Sequence, residues 1–130
     1  MASIFTKIIN GEIPCYKIAE NDSFFAFLDI NPLKKGHTLV VPKREEDYIF
    51  NLDDDEIAAM TVFAKKVAKA IEKAMPCKRI AVAVLGLEVP HAHIHLVPIS
   101  AEGDLDFHGR HEKLTEEEFL EVQKAITQAL

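Results

Sequence analysis

Directly after Pro90 the chain reads His91-Ala92-His93-Ile94-His95-Leu96-Val97, three histidines at alternate positions separated by apolar residues. Side chains of an extended strand change face at every residue, so this spacing predicts a strand with all three imidazoles on one side. Ala92, Ile94 and Leu96 then face the opposite way. An ordinary imidazole titrates near ~6.5, and clustered rings share protons, setting a neutral nitrogen beside a charged one. Attack on a phosphorus centre needs that combination: a nucleophile, a donor to the phosphoryl oxygens and a proton source for the leaving group. Two other uses compete. Packed strand histidines need no function at all, and neutral imidazoles also bind zinc. Residues on one strand face are roughly 7 Å apart, so a metal requires inward-bent rings and a further ligand from elsewhere.

The rest of the chain supplies a sheet for that strand. Tyr16 to Glu20, Phe24 to Asp29 and Thr38 to Pro42 are short segments rich in strand formers, divided by Asn21-Asp22-Ser23 and by Asn31-Pro32 through Gly36. They predict an antiparallel meander. Arg79 to Leu85 is a continuous apolar run suited to a central strand. Ile4 to Ile9 has a short helical pattern stopped by Gly11. Asp53-Asp54-Asp55-Glu56 places acids on the first turn of a long helix, whose repeat of Ile57, Met60, Val67, Ala70, Ile71 and Ala74 ends at Pro76. Thr115 with Glu118 forms a capping-box signature for a last helix, with Phe119, Leu120, Val122, Ile126 and Leu130 to dock on the same protomer. The reading is an α+β fold: a five-stranded antiparallel sheet, one long helix, a short amino-terminal helix and a carboxy-terminal helix. Residues 1–130 form one domain, with about 112–130 a helical extension, and Asp104 to His111 reads as a polar linker, with a substrate-contacting lid as the alternative and no catalytic role for His108 or His111.

At 130 residues and 48% hydrophobic content the chain can build a single core. Its net charge of −6 argues against a nucleic-acid binder, which needs a basic surface. Two distant cysteines, Cys15 and Cys77, suggest no disulfide framework. With no long apolar run and no charged-then-apolar leader, the expectation is a cytoplasmic protein without a membrane partner.

Residues 91–97 match His-φ-His-φ-His-φ-φ, φ being apolar, at every position. Ile4-Phe5-Thr6-Lys7-Ile8-Ile9-Asn10-Gly11-Glu12-Ile13-Pro14, Phe27-Leu28-Asp29-Ile30-Asn31-Pro32 and Gly36-His37-Thr38-Leu39-Val40-Val41-Pro42-Lys43 precede it in order. Together these motifs resemble the histidine triad (HIT) superfamily, most closely its Hint-like branch of nucleotide-binding hydrolases. The resemblance implies a HIT-like fold, a homodimer joined through the long helix and a central strand, and a purine nucleotide substrate. His93 would be the nucleophile, attacking the α-phosphate to form a nucleotidyl-histidine. His95 would bind phosphate. His91 would orient His93 through its backbone carbonyl, its ring also serving the leaving group, and His37 would match a fourth family histidine. Asp29 would hold the ribose hydroxyls. Phe5, Ile8, Ile13, Phe27 and Leu39 correspond to base-pocket positions, and Ile30, Glu88 and Val89 join the expected substrate contacts.

The departures from that pattern carry information too. Hint-like relatives usually place an Asn, then Gly-Gln-Ser or similar, before the triad, whereas this chain has Ala81-Val82-Ala83-Val84-Leu85-Gly86-Leu87-Glu88-Val89-Pro90. A carboxylate at Glu88 suits a phosphate only if it turns away or meets a cationic leaving group such as an amine. Relatives with structural zinc use Cys-x-x-Cys near the start together with histidines. Ser3, Thr6 and Glu45 stand at those places here, so the expectation is no metal and no cofactor. Phosphoramidase activity, dinucleoside polyphosphate hydrolysis, and a nucleotide-binding scaffold with vestigial turnover are the functions the resemblance leaves open.

Overall fold

In the computed structural model, which describes residues 2–130, five antiparallel strands lie in the order β1-β2-β3-β5-β4. They are β1 (Lys17–Glu20), β2 (Phe24–Leu28), β3 (Thr38–Pro42), β4 (Arg79–Ala83) and β5 (Ile94–Ile99). Three α-helices complete the fold: α1 (Ile4–Ile9), α2 (Asp54–Ala74) and α3 (Glu116–Gln128).

The central strands are buried on both faces, and the alternation of their side chains sorts them into two layers. Phe24, Ala26, Leu28, Val40, Ile94 and Leu96 point one way, into a core built with Met60, Phe63, Val67 and Ile71 of α2. Phe25, Phe27, Leu39 and Val41 point the other way, into a smaller cluster with Phe5 of α1. The helical layer thus occupies one face of the sheet, and the other face is left for the histidines. Helix α3 closes the first layer by packing on α2 and β1. Phe119, Val122 and Ile126 are buried there, with Phe119 stacked on Tyr16 at 4.8 Å. Thr115 and Glu118 make the expected capping box. Leu120, on the outer side of α3, and Leu130, beyond its last residue, are about half exposed, although the sequence reads both as docking positions.

Two further expectations need correction. Arg79 to Leu85 is not a central strand: β4 ends at Ala83 and forms the sheet edge, with Val82 63% exposed. An apolar run does not distinguish a buried strand from an edge. The strand of the triad begins at Ile94, so His91 and His93 lie on the extended approach to it. Cys15 and Cys77 are free. Among the described residues no helix is long and apolar enough to cross a membrane.

Candidate active site

The four triad-region histidines are buried, and their hydrogen bonds are anchored in the main chain. His91 faces the carbonyl of Pro42 with Nε2 at 2.8 Å, and a carbonyl only accepts, so Nε2 carries the proton. Nδ1 of the neutral ring then accepts from the Ser3 hydroxyl at 2.7 Å. The His91 carbonyl in turn accepts from Nδ1 of His93 at 2.7 Å. His93 is therefore held with its proton on Nδ1 and an unshared lone pair on Nε2. This is the form a nitrogen nucleophile requires.

A second chain of bonds prepares His95. The amide of Leu33 donates to Nδ1 of His37 at 3.0 Å, which leaves the His37 proton on Nε2. That N–H faces Nδ1 of His95 at 3.0 Å. Neutral His95 consequently holds its own proton on Nε2, as a donor. Gly36, at φ +101°, makes the turn that places His37 beside β3, a conformation most residues avoid. In the paired strands His95 lies opposite Leu39 of β3 and Ala83 of β4.

Burial lowers His37, His93 and His95, because a charged ring loses its hydration. His37 is pushed down to about 4, chiefly by burial and then by the positive charges of His111 and His93. His95 falls to about 3 by burial, with His93 and His37 adding to it. His93 moves in the same direction, again mainly through burial, partly offset by its bond to the His91 carbonyl. At neutral pH the cleft presents one free lone pair and one neutral donor, His93 and His95 standing 4.8 Å apart, ring centre to ring centre.

His37, His93 and His95 line a cleft of about 490 Å³, within the range of small-molecule sites. Phe5, Leu39 and Val89 make an apolar end, with Phe5 edge-on to His93 at 5.1 Å. Asp29 lies on the cleft wall. Its Oδ1 accepts from the Asn31 amide at 2.8 Å, and its Oδ2 sits 3.5 Å from Nε2 of His37. Glu88 borders the opening and is exposed.

Other expected contacts lie elsewhere. His91 is buried and does not reach the cleft, so its ring is unavailable to a leaving group and only its carbonyl touches a cleft residue, His93. Phe27 and Ile8 sit behind Phe5 in the small apolar cluster. Ile13 does not line the cleft, and Ile30 is 75% exposed outside it, carried outward by the turn after Asp29.

The 104–111 segment lies at the cleft, where the lid alternative puts it, and is not a mere linker. Phe107, His108 and His111 all line the cleft. Phe107 lies 4.8 Å from His95 and 6.2 Å from His37, ring centre to ring centre. Nδ1 of His111 meets the Asn31 carbonyl at 2.8 Å and Nε2 meets the Phe107 carbonyl at 3.1 Å. Two carbonyl acceptors demand two N–H groups, and these bonds raise His111 above its ordinary value. Glu112 adds an amide bond to the Pro32 carbonyl at 2.8 Å. A lone aromatic with paired histidines in a polar stretch was the available signal.

Ser3, Thr6 and Glu45 form a closed polar knot behind His91. Glu45 Oε1 accepts from the Thr6 hydroxyl at 2.6 Å and from the Ser3 amide. These bonds hold its carboxyl below the usual range. Two hydroxyls and one engaged carboxylate make a poor zinc set beside thiolates. Asp29, His37 and His95 also bring ligand atoms within 4.8 Å of one another. Both nitrogens of His37 are already committed to hydrogen bonds, so this group fits a relay better than an ion.

The profile of the HIT domain matches residues 10–102 of the chain, most of its length and all of the triad. The chain belongs to the HIT family. A HIT-like protein of Borreliella burgdorferi is 36% identical over 132 residues, covering 95% of each chain. The adenosine 5'-monophosphoramidase of Schizosaccharomyces pombe is 41% identical over 103 residues, 75% of this chain and 74% of that relative. Among solved structures, a Hit-like protein of Bartonella henselae superimposes with a TM-score of 0.83 at 31% identity, covering 98% of this chain and 96% of its own. A zinc-bound histidine triad protein of Mycobacterium smegmatis superimposes at 0.80 with 28% identity, over 98% and 95% of the two chains.

Proposed function

We propose that this HIT protein hydrolyses purine nucleoside 5'-phosphoramidates, or transfers their nucleotidyl group, through a covalent bond between His93 and the α-phosphorus. The observation that carries the reading is the pair of hydrogen-bond chains that leave Nε2 of His93 unprotonated and Nε2 of His95 protonated beside one cleft. The phosphoramidase of Schizosaccharomyces pombe supports the substrate class.

In the proposed reaction the purine stacks between Phe5, Leu39 and Val89, and Asp29 accepts from the ribose hydroxyls through its outer oxygen. His93 Nε2 attacks phosphorus, forming an N–P bond as the bond to the leaving amine breaks. The amine departs with the electron pair and takes a proton from solvent at the open mouth of the cleft. The new imidazolium keeps its Nδ1–H on the His91 carbonyl, which stabilises the added charge. His95 donates Nε2–H to the phosphoryl oxygens. Water then attacks the same phosphorus and gives up a proton to solvent, replacing the one the amine took, as the N–P bond breaks and its electron pair returns to His93 Nε2.

The test is release of AMP from adenosine 5'-phosphoramidate by wild type and His93→Ala, with a diadenosine polyphosphate as competing substrate. Turnover lost in the variant supports the covalent route, and preference for the polyphosphate would move the substrate class to dinucleotides. AMP binding without release from either compound would make the protein a nucleotide binder instead. A homodimer forming one continuous sheet fits the free edge of β4 and exposed Val62 on α2. A monomer mass by sedimentation at micromolar concentration would refute it.

A further inference from the structure

The segment carrying Phe107 and His111 does more than close the cleft, because its far side opens onto a second depression. This one, of about 710 Å³, is lined by Lys34, Arg110, His111, Glu112 and Lys113. His111 lines both hollows, so they adjoin at this residue. Three of the five lining residues, Lys34, Arg110 and Lys113, are cationic against one acid, Glu112, in a chain whose net charge is −6, and the two carbonyl acceptors of His111 favour its charged form. Lys34 is paired with Asp104 at 3.3 Å. Arg110 and Lys113 have no carboxylate within ion-pairing distance among the described residues.

The order of groups gives this depression a place in the reaction. Phe5 stands beside His91 and His93 at the apolar end, whereas Phe107 stands on His95 and His37. A nucleotide with its base at Phe5, its ribose at Asp29 and its phosphate at His95 lies in a cleft whose wall continues through Phe107 to His111, so a group attached beyond phosphorus on that side comes within reach of the cations of the second depression. Unpaired Arg and Lys around an open hollow attract anions, with Arg able to grip a carboxylate or phosphate through two N–H groups.

We propose that Arg110 and Lys113, with Lys34 and His111, form a subsite for an anionic leaving group, one bearing carboxylates or phosphates. The inference rests on the reading of the cleft as a nucleotidyl-transfer site, and its test separates the two. Adenosine 5'-phosphoramidates of aspartate and of glycinamide share the same P–N bond and differ in the negative charge of the amine. Both are assayed on wild type and on the Arg110→Glu/Lys113→Glu variant, with binding of each conjugate to the His93→Ala protein, with and without those reversals, measured by calorimetry. Wild type should favour the aspartate conjugate, and charge reversal should lower kcat/KM for it by about tenfold while sparing the glycinamide conjugate.

Equal loss on both conjugates, or none on either, overturns the subsite. If neither conjugate turns over, the reading of the reaction fails. The calorimetry still decides the subsite: tighter aspartate binding that the reversals abolish supports it, and equal binding of both conjugates refutes it. Inorganic pyrophosphate as competitor distinguishes the two anions. Competition against the aspartate conjugate alone extends the subsite to phosphates, and no competition confines it to carboxylates.

Discussion

Ser3 Oγ lies 2.7 Å from Nδ1 of His91, joining the amino-terminal helix cap to the residue whose carbonyl sets the proton of His93. Ser3 also caps α1, accepting from the Thr6 amide at 3.0 Å. Ser3→Ala removes the donor to a buried ring nitrogen and should cost about 1–3 kcal/mol of unfolding free energy. Denaturant unfolding measures it, and a midpoint unchanged from wild type would show that the knot behind His91 contributes little.

Breaking the other chain should affect chemistry more than binding. His37→Ala leaves the Leu33 amide without its acceptor and His95 without its donor, so His95 is free to switch tautomer. The expected result is a fall in kcat of about tenfold to a hundredfold with KM little changed. Steady-state kinetics on adenosine 5'-phosphoramidate reads the split, and a rise in KM alone would contradict the relay.

The lowered values of His37, His93 and His95 set a sign for pH effects. These groups stay neutral in the folded protein while the same residues in the unfolded chain take up protons below about 6.5. Stability is complete above that value and declines as pH falls from 6.5 toward 4, by about 1.4 kcal/mol per pH unit for each of His37 and His95, with His93 acting in the same direction. Turnover should hold steady across neutral pH and drop on the acid side once His93 protonates. Unfolding midpoints and kcat/KM between pH 4 and 8 check both, and an alkaline loss of activity centred near 7 would contradict the assignment.

Phe107 shields His95 from water, and that shielding has a spectroscopic signature. Phe107→Ala should raise the pKa of His95 toward its ordinary value, since burial is the main cause of its depression. Histidine proton resonances followed through a pH titration report this directly. An unmoved His95 would mean that the strand neighbours alone keep it dry.

Gly36 couples the loop before His37 to the end of α2. A Cβ built there would meet Met75 Cγ at 2.8 Å and would sit on a backbone at φ +101°. Gly36→Ala should destabilise by more than about 1 kcal/mol, and adding Met75→Ala should recover only the steric share, leaving the backbone strain. Thermal unfolding of the single and double variants gives the comparison.

How far the amino-acid pattern discloses this site depends on how local each relationship is. His93 and His95 are two residues apart on an extended segment, so period-two alternation alone puts them on one side of the sheet. The burial of the His91 ring could not be read that way, because Ser3 and Pro42, which engage it, are distant along the chain. Phe107 and His111 could not be assigned to the cleft for the same reason: the bonds that bring them there run to Asn31 and Pro32 across about 80 residues. The edge position of β4 depends on strand order, on which an apolar run is silent.

The relay ends on main-chain groups: the carbonyls of His91 and Pro42 and the amide of Leu33. No side-chain replacement at those three positions deletes its anchor, although proline at 33 would remove the amide. The cleft rim, by contrast, is made of side chains on α1, on the turn at 85–89 and on the 107–111 segment, all outside the sheet. In a diverging lineage these two parts answer to different pressures. The rim can drift through ordinary substitutions while the hydrogen-bonded setting of His93 is inherited intact.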